Sequence, residues 1–552
     1  SFLPLVEITR RVLRAHPAPV IMFWRLAMLA VFAGFLFGVD LGSIGAAIDG
    51  MSKEMELDKK EVEWVVSGAK GGAIFGSFFG GALIMSRGRR TIIGWAGIPA
   101  IAGPLLMFTA NSLGQLIVGR VLMGLGIGLA SVATPSYLSE VALPEQRGTF
   151  EAMYELGIAT GMLFAAMANA GIEMSDADPS FIWRCQAGLV PCLFAIPVLI
   201  VVCTVPESPR WRLLVAGSNP IALLQVLQDV SALERPGARE RLKTVHLREG
   251  FEERVGSLDP EDSDDSEDEL DGHDDDLIRL WDEKHLAAGL ALFKSDELKE
   301  ESEAARLHTL PLLWRTLSDT YAIIRGAEQV PAGARQGLAL ALSAAVLDQA
   351  CASTSILIYT QKILEGVGVG QEAQDLLTTL VVAAKLFGVI MGLIIVERVP
   401  RRVLLGAGGG LSAVALSILV LGASLSSPSL LLTGMIAFVG AFYCTWGIGY
   451  WVVVVEVTAV GGPRYASAAQ SVSTATLFAA GWLTSLTFMD VVSVGTLGLL
   501  IYVAVAVAMC LFAFCLLPET AGHSLEECAG DILHEEPVAD GATESDTSQS
   551  AV

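Results

Sequence analysis

Twelve stretches of about 20 mostly apolar residues dominate this 552-residue chain, and each is long enough to cross a bilayer. Lipid offers no partner to an unpaired backbone group, so apolar spans of this length must form helices. The sequence therefore predicts an all-α integral membrane protein with twelve transmembrane helices. The predicted spans are 24–48, 64–85, 91–109, 113–137, 150–170, 186–205, 337–359, 376–396, 403–425, 430–455, 466–489 and 494–517.

A long polar segment divides the spans into two groups of six. The predicted domains are a first half, a cytosolic central segment, a second half and a cytosolic tail, at residues 1–205, 206–336, 337–517 and 518–552. Short motifs recur in both halves, such as Pro206-Glu207-Ser208 and Pro518-Glu519-Thr520. Repeated six-helix halves with a binding site between them are typical of carriers that work by alternating access.

The net charge of −23 comes largely from one tract, in which twelve of the eighteen residues 259–276 are acidic. Such a tract cannot bury a core, so we expect disorder there and no binding of nucleic acid. Ser266 lies in an acid-directed kinase motif, which makes a kinase or regulatory partner possible. In the rest of the polar segment, helical periodicity predicts one short helix at 221–233.

Arginines in the short loops indicate the orientation of the chain in the membrane. One cluster follows the second span and a second cluster follows the eighth, on the same side as both termini and the central segment. Positively charged loops are retained in the cytosol, so we take this side as cytosolic. The membrane itself is left open between the vacuolar and the plasma membrane.

An acid and an arginine interrupt two otherwise apolar spans. Asp40 lies in the first span and Arg120 in the fourth, and no histidine falls in any span. An ionisable side chain in hydrocarbon costs about 2.5–3.5 kcal/mol even on lenient scales, so it normally faces a partner or a wet cavity. Burial and a nearby arginine act oppositely on the proton affinity of a carboxylate. We expect the two residues to form a proton switch; the alternative is a permanent structural ion pair.

Several longer motifs resemble one transporter family. Gly119-Arg120 through Pro135-x-Tyr137-x-x-Glu140 to Arg147-Gly148 and Pro206-Glu207-Ser208-Pro209-Arg210-Trp211 are two of them, and the start of the tail at Pro518-Glu519-Thr520 is a third. The chain thereby resembles the sugar porters of the major facilitator superfamily. Its acidic central segment is similar to that of plant tonoplast monosaccharide transporters. The resemblance implies the major facilitator fold and a proton-coupled sugar or polyol transporter.

The resemblance also implies site residues. Proton coupling would fall to Asp40 and Arg120. The substrate positions would be Glu155, Asp348, Gln349, Thr354, Lys385 and Trp451, where charged side chains replace the family's amides at three positions. A cytosolic gate, whose ion pairs would form in one conformation and break in the other, would comprise Arg90, Glu140, Arg147, Glu207, Arg210, Glu397, Arg398, Arg402, Glu456, Arg464 and Glu519.

Three functional interpretations remain at this point. The charged substrate positions either pair with one another, Lys385 with Asp348 or Glu155, around a neutral sugar, or they bind an organic ion. A non-transporting nutrient sensor, signalling through the acidic segment, is the third interpretation. An enzyme is not expected, since the sequence has no phosphate loop, metal cluster or nucleophile triad. No cofactor or metal is predicted.

Overall fold

The computed structural model describes residues 17–141, 147–174, 177–208, 211–212, 309–327, 330, 332–458 and 462–520. Throughout that part of the chain the regular structure is helical. The first half contains α1 Pro17–Met55, α2 Lys59–Arg87, α3 Arg89–Phe108, α4 Leu113–Val141, α5 Arg147–Glu173 and α6 Pro179–Thr204, the last with a π-turn at Cys185–Leu189. The remaining helices are α7 Thr309–Arg325, α8 Ala332–Ala350, α9 Ser353–Ile358, α10 Thr360–Gly366, α11 Gln371–Ile395, α12 Arg401–Ser424, α13 Pro428–Thr458, α14 Gly462–Ser493 and α15 Thr496–Cys515.

The described helices account for twelve membrane spans. Eleven are long and apolar enough by themselves, the sixth of these being Gly333–Ile358, which joins α8 to α9. The twelfth is α2, a less apolar helix that includes Glu61, Glu63 and Lys70 and packs along α4 and α14 inside the bundle. The fold predicted from the apolar spans is confirmed. Burial among other helices removes the need for α2 to be apolar all round.

Glycines on α2 and α4 bring these two helices into backbone contact. A Cβ on Gly72 would lie 2.0 Å from the Val121 carbonyl oxygen, and a Cβ on Gly124 would lie 1.8 Å from the Ala69 carbonyl oxygen. No side chain fits at such distances. Small residues at a helix interface permit this close approach in membranes, which explains the glycine at every fourth position of the second span.

Two alanine substitutions on α4 should therefore have opposite effects. Alanine favours a helix over glycine by roughly 0.8–1 kcal/mol, so Gly114→Ala, with no atom within 4 Å of its new Cβ, should be neutral or stabilising. Gly124→Ala should lower the melting temperature and the yield of folded protein, because α2 has to move. Thermal unfolding in detergent compares the two variants. Equal melting temperatures would contradict the packing described here.

Two features were not foreseen from the sequence. The seventh span breaks at Ala352, whose φ of +59° lies in the left-handed region, so α8 and α9 are separate helices. The polar central segment ends in the helix α7, which lies against α2 and α14 and was expected to be irregular. The predicted helix at 221–233, the acidic tract 259–276 and the tail beyond residue 520 lie outside the described residues.

Candidate functional site

A cavity lies between the two halves of the bundle. Helices α1, α2 and α5 line it from the first half, and α8, α9, α11, α13 and α14 line it from the second. All six predicted substrate positions are among the lining residues: Glu155, Asp348, Gln349, Thr354, Lys385 and Trp451. The break at Ala352 places Thr354 at the start of α9, which fits the use of broken helices at transporter sites.

A buried ion pair joins the two halves across this cavity. Lys385 Nζ on α11 lies 3.0 Å from Glu155 Oε1 on α5. Trp451 Nε1 donates to Glu155 Oε2 at 3.3 Å, and the Lys385 ammonium sits 3.9 Å from the centre of the Tyr443 ring. Of the two pairings considered for Lys385, the structure forms the one with Glu155. A buried charge persists when it is paired and hydrogen-bonded, as here.

Two further charged side chains line the same cavity. Asp348 Oδ2 accepts a hydrogen bond from the amide of its neighbour Gln349 at 2.9 Å. Lys70 Nζ on α2 donates to Ser485 Oγ at 2.8 Å and to the Gly481 carbonyl at 3.2 Å. Lys70 was not among the substrate positions expected from the sequence. Only the position of α2 beside α14 reveals its place.

Asp40 and Arg120 form an ion pair in the interior of the first half. Both are almost completely buried, at 1% and 2% exposure. Arg120 also donates through Nε to the Val65 carbonyl at 3.1 Å and through its second amino group to the Val66 carbonyl at 3.3 Å, so it bridges α1, α2 and α4. Asp40 Oδ2 has no hydrogen-bond partner among the described residues. The neighbouring residue on α1, Leu41, lines the cavity.

At the arginine-rich end of the bundle, each half repeats one buried cluster. In the first half Arg89 pairs with Glu140 at 2.8 Å, and Ser208 Oγ donates to Glu140 Oε2 at 2.5 Å. In the second half Arg401 lies 3.5 Å from Glu456, to which Thr520 Oγ1 donates at 2.5 Å.

The arginines in these clusters are not the ones assigned to the gate. The side chain of Arg90 donates to the Val202 carbonyl at 2.9 Å, and Arg402 donates to the Phe514 carbonyl. Arg89 and Arg401 form the ion pairs with Glu140 and Glu456 instead. Each is the first residue of its helix, one position before the expected arginine, and its side chain points inward.

The remaining gate positions divide into three groups. Glu207 and Glu519 accept from backbone N–H groups in the first turns of α3 and α12, where a carboxylate is favoured by the helix dipole. Arg398 is exposed and forms no ion pair within the described part of the chain. Arg210 and the side chains of Arg147 and Arg464 lie outside the described residues.

Contacts between the halves are present at both ends of the bundle. At the arginine-rich end, Glu397 Oε1 of the second half accepts from the Thr149 N–H of the first at 2.8 Å, and Ser136 Oγ donates to Gln470 Oε1 at 2.8 Å. At the opposite end, the exposed Lys59 pairs with Asp490 at 2.9 Å. The two halves are therefore in direct contact at both ends of the bundle.

Known proteins match the chain over most of its length. A family model described as "Sugar (and other) transporter" matches residues 26–230 and 297–531. The probable metabolite transport protein CsbC of Bacillus subtilis is 27% identical over 513 residues, which is 91% of this chain and 93% of that protein. The galactose-proton symporter of Escherichia coli is 36% identical over 190 residues, but this match covers only 34% of this chain and 40% of the symporter.

Solved structures share the fold. The proton:xylose symporter XylE of the major facilitator superfamily, solved with bound 6-bromo-6-deoxy-D-glucose, superimposes with a TM-score of 0.67. The sequence identity is 19%, and the match covers 92% of this chain and 98% of that one. An inward-open XylE structure from E. coli gives a lower TM-score of 0.60 at 20% identity.

Proposed function

The chain belongs to the family of sugar (and other) transporters, and from this premise we propose that it carries a sugar or polyol across a membrane together with a proton. It is a multi-pass membrane protein of the major facilitator fold, in a family of transporters and not of enzymes. The observation that carries the proposal is the cavity between two six-helix halves, which is lined by four charged side chains and lies beside a buried acid–arginine pair.

Proton coupling is proposed at Asp40. Its carboxylate pairs with Arg120 in this structure, and one of its oxygens has no hydrogen-bond partner among the described residues. Separating the arginine from the acid removes a favourable charge from a buried carboxylate, which then binds a proton more tightly. Because α1 carries both Asp40 and the cavity residue Leu41, a shift of α1 around a bound solute would change this pairing.

We propose that the duplicated clusters at the arginine-rich end act as the cytosolic gate. Each holds a partly desolvated ion pair, and the bond from Glu397 to Thr149 fastens one half to the other. Opening this end has to break the contact between Glu397 and Thr149.

Glu397→Ala should therefore favour opening at the arginine-rich end. A hydrogen bond to a charged group contributes about 1.5–3 kcal/mol, so its loss should speed amide hydrogen exchange at the start of α5 by roughly tenfold or more. Exchange measured by mass spectrometry on the purified protein tests this. Glu365→Ala, at an exposed acid on α10, is the control. Equal exchange rates at Thr149 in the two variants would count against the gate.

Transport itself is tested in proteoliposomes. Uptake of labelled xylose, glucose, galactose and myo-inositol is measured with and without an inwardly directed pH gradient. We expect at least one of these solutes to accumulate above its external concentration only when the gradient is present. Binding without any uptake would favour a nutrient sensor. Uptake that is the same with and without the pH gradient would favour a facilitator.

An organic-ion carrier is the second candidate, and the four charged side chains around the cavity favour it. Glu155, Asp348, Lys70 and Lys385 would serve an ionic solute as well as a neutral one. Uptake of labelled gluconate and glucosamine in the same proteoliposomes separates this candidate from the neutral sugars.

We propose that a kinase or another regulatory partner acts at Ser266. We also propose that the protein resides in the vacuolar or the plasma membrane. The acid-directed motif within 259–276 supports the first, and the similarity of the central segment to that of tonoplast transporters supports the second. Phosphorylation assays on the purified protein and microscopy of a fluorescent fusion test the two proposals.

A further inference from the structure

The cavity holds two acids and two lysines, but only one acid and one lysine are in contact. Glu155 and Lys385 are paired at 3.0 Å. Lys70 and Asp348 line the same space, each only 6% exposed. Their formal charges sum to zero, yet these two residues are not paired with each other.

Lys70 is held by neutral partners. Its ammonium donates to the Ser485 hydroxyl and the Gly481 carbonyl, and within the described ranges no carboxylate oxygen lies within 4.0 Å of Nζ. An ammonium has three donors, so one donor remains for a ligand. A hydroxyl and a carbonyl fix the position of this cation but do not neutralise it.

Asp348 is less well satisfied than Lys70. Its carboxylate accepts a side-chain hydrogen bond from the Gln349 amide, although an ionised carboxylate offers about four acceptor sites. No lysine or arginine nitrogen of the described residues lies within 4.0 Å of it. The Asp348 carboxylate therefore lines the cavity with acceptor sites that remain available to a ligand.

The side chain of Gln349 lies between these two charges. Its amide nitrogen binds Asp348, while its oxygen faces α14, where a Cβ on Gly481 would lie 2.5 Å from Gln349 Oε1 and 3.3 Å from Lys70 Nζ. The cation comes from α2 in the first half and the anion from α8 in the second. A ligand that contacts both would span the Gln349 side chain and connect the two halves.

The charge balance selects among possible ligands. In their ionised forms, Lys70 and Asp348 both lack a counter-ion when the solute is neutral. A solute with a single charge pairs one of them while adding a net charge to a buried site. Buried charges are costly unless they are paired. A solute that bears both an ammonium and a carboxylate pairs Asp348 and Lys70 together and adds no net charge.

We propose that the cavity binds a hydroxylated zwitterion, with the ammonium group at Asp348 and the carboxylate group at Lys70. The amide of Gln349, the hydroxyl of Thr354 and the indole of Trp451 contact the hydroxyl groups of the solute. This inference rests on the proposed transport function and narrows its substrate class.

Four solutes on one pyranose framework test the inference: glucose, glucosamine, glucuronate and 2-amino-2-deoxyglucuronate, which is the zwitterion with its two charges on opposite sides of the ring. Calorimetric titration of the full chain in detergent should show the zwitterion binding about tenfold more tightly than any of the others, as expected for a further charged contact. Asp348→Asn should lower the affinity for the zwitterion and for glucosamine about tenfold, and Lys70→Met should lower the affinity for the zwitterion and for glucuronate to a similar extent. Neither variant should lower the affinity for glucose by more than about threefold.

The controls are Lys60→Met and Glu365→Gln, which remove one exposed charge from α2 and one from α10. They should leave all four affinities unchanged. If Asp348→Asn or Lys70→Met fails to fold, Asp348→Glu and Lys70→Arg replace them, and these should retain the preference for the zwitterion.

Two results overturn the inference. One is glucose binding as tightly as the zwitterion, and the other is a loss of glucose affinity in Asp348→Asn as large as the loss of zwitterion affinity. Either result leaves the proposed function intact if glucose still accumulates under a pH gradient. Absence of gradient-driven uptake for all four solutes and for the neutral panel would instead refute the proposed function.

Discussion

Replacing Asp40 by Asn is expected to abolish accumulation driven by a pH gradient, while solute exchange across the membrane continues. The amide fills the same space beside Arg120 and can accept a hydrogen bond, but it cannot gain and lose a proton. One proton crossing a potential of 100 mV supplies about 2.3 kcal/mol, or roughly 40-fold accumulation at one proton per solute. The variant should lose this factor entirely. Uptake and counterflow in proteoliposomes measure the two activities separately.

The matched control is Asp49→Asn, at an exposed acid two to three turns further along α1. This variant should accumulate solute as the unaltered protein does. Full accumulation by Asp40→Asn across several pH values would show that the proton is carried elsewhere. Loss of counterflow together with accumulation would point to a structural role for the Asp40–Arg120 pair.

Replacing Glu155 by Gln should destabilise the protein more than any other single change at the cavity. The substitution leaves the Lys385 ammonium buried without a carboxylate, and breaking a buried pair in this way costs about 3–5 kcal/mol. The Gln side chain can still accept a hydrogen bond from Trp451. Any loss of stability therefore comes from the missing negative charge and not from a change in side-chain shape. Thermal unfolding in detergent should show a melting temperature lower by several degrees.

Removing the second charge should reverse most of this loss. In the double variant Glu155→Gln with Lys385→Met both buried charges are gone, and replacing a whole buried pair is often neutral or stabilising. The exposed pair offers a control, since Asp490→Asn should change the melting temperature little. A double variant less stable than Glu155→Gln alone would show that the two side chains do not act as a pair.

The apolar spans made the fold predictable from the sequence. A bilayer requires about 20 apolar residues in each helix and hydrogen-bonded backbone groups throughout. The pattern and length of the apolar stretches are therefore sufficient to predict the membrane-spanning helices. The seventh span shows the limit of this reasoning. Hydropathy does not register the left-handed residue Ala352, because a break in a helix changes backbone angles and not composition.

The candidate site, like the fold, was predictable from the sequence only in part. The sequence offered Glu155, Asp348 and Lys385 as lining residues through a resemblance, and it left open whether Lys385 pairs with Glu155 or Asp348. Tertiary packing forms the Glu155 pair, because α5 faces α11 across the cavity. The similarity to tonoplast transporters stays a prediction.

The sequence by itself determined which segments cross the membrane and that charged side chains lie among them, because both follow from composition and spacing along one chain. Only the tertiary structure decided which charges meet. Arg89 rather than Arg90 reaches Glu140, and Lys70 enters the cavity next to Ser485, which is more than 400 residues away. Contacts of this kind depend on how helices rotate and pack against one another, and a one-residue shift on a helix turns a side chain by about 100°.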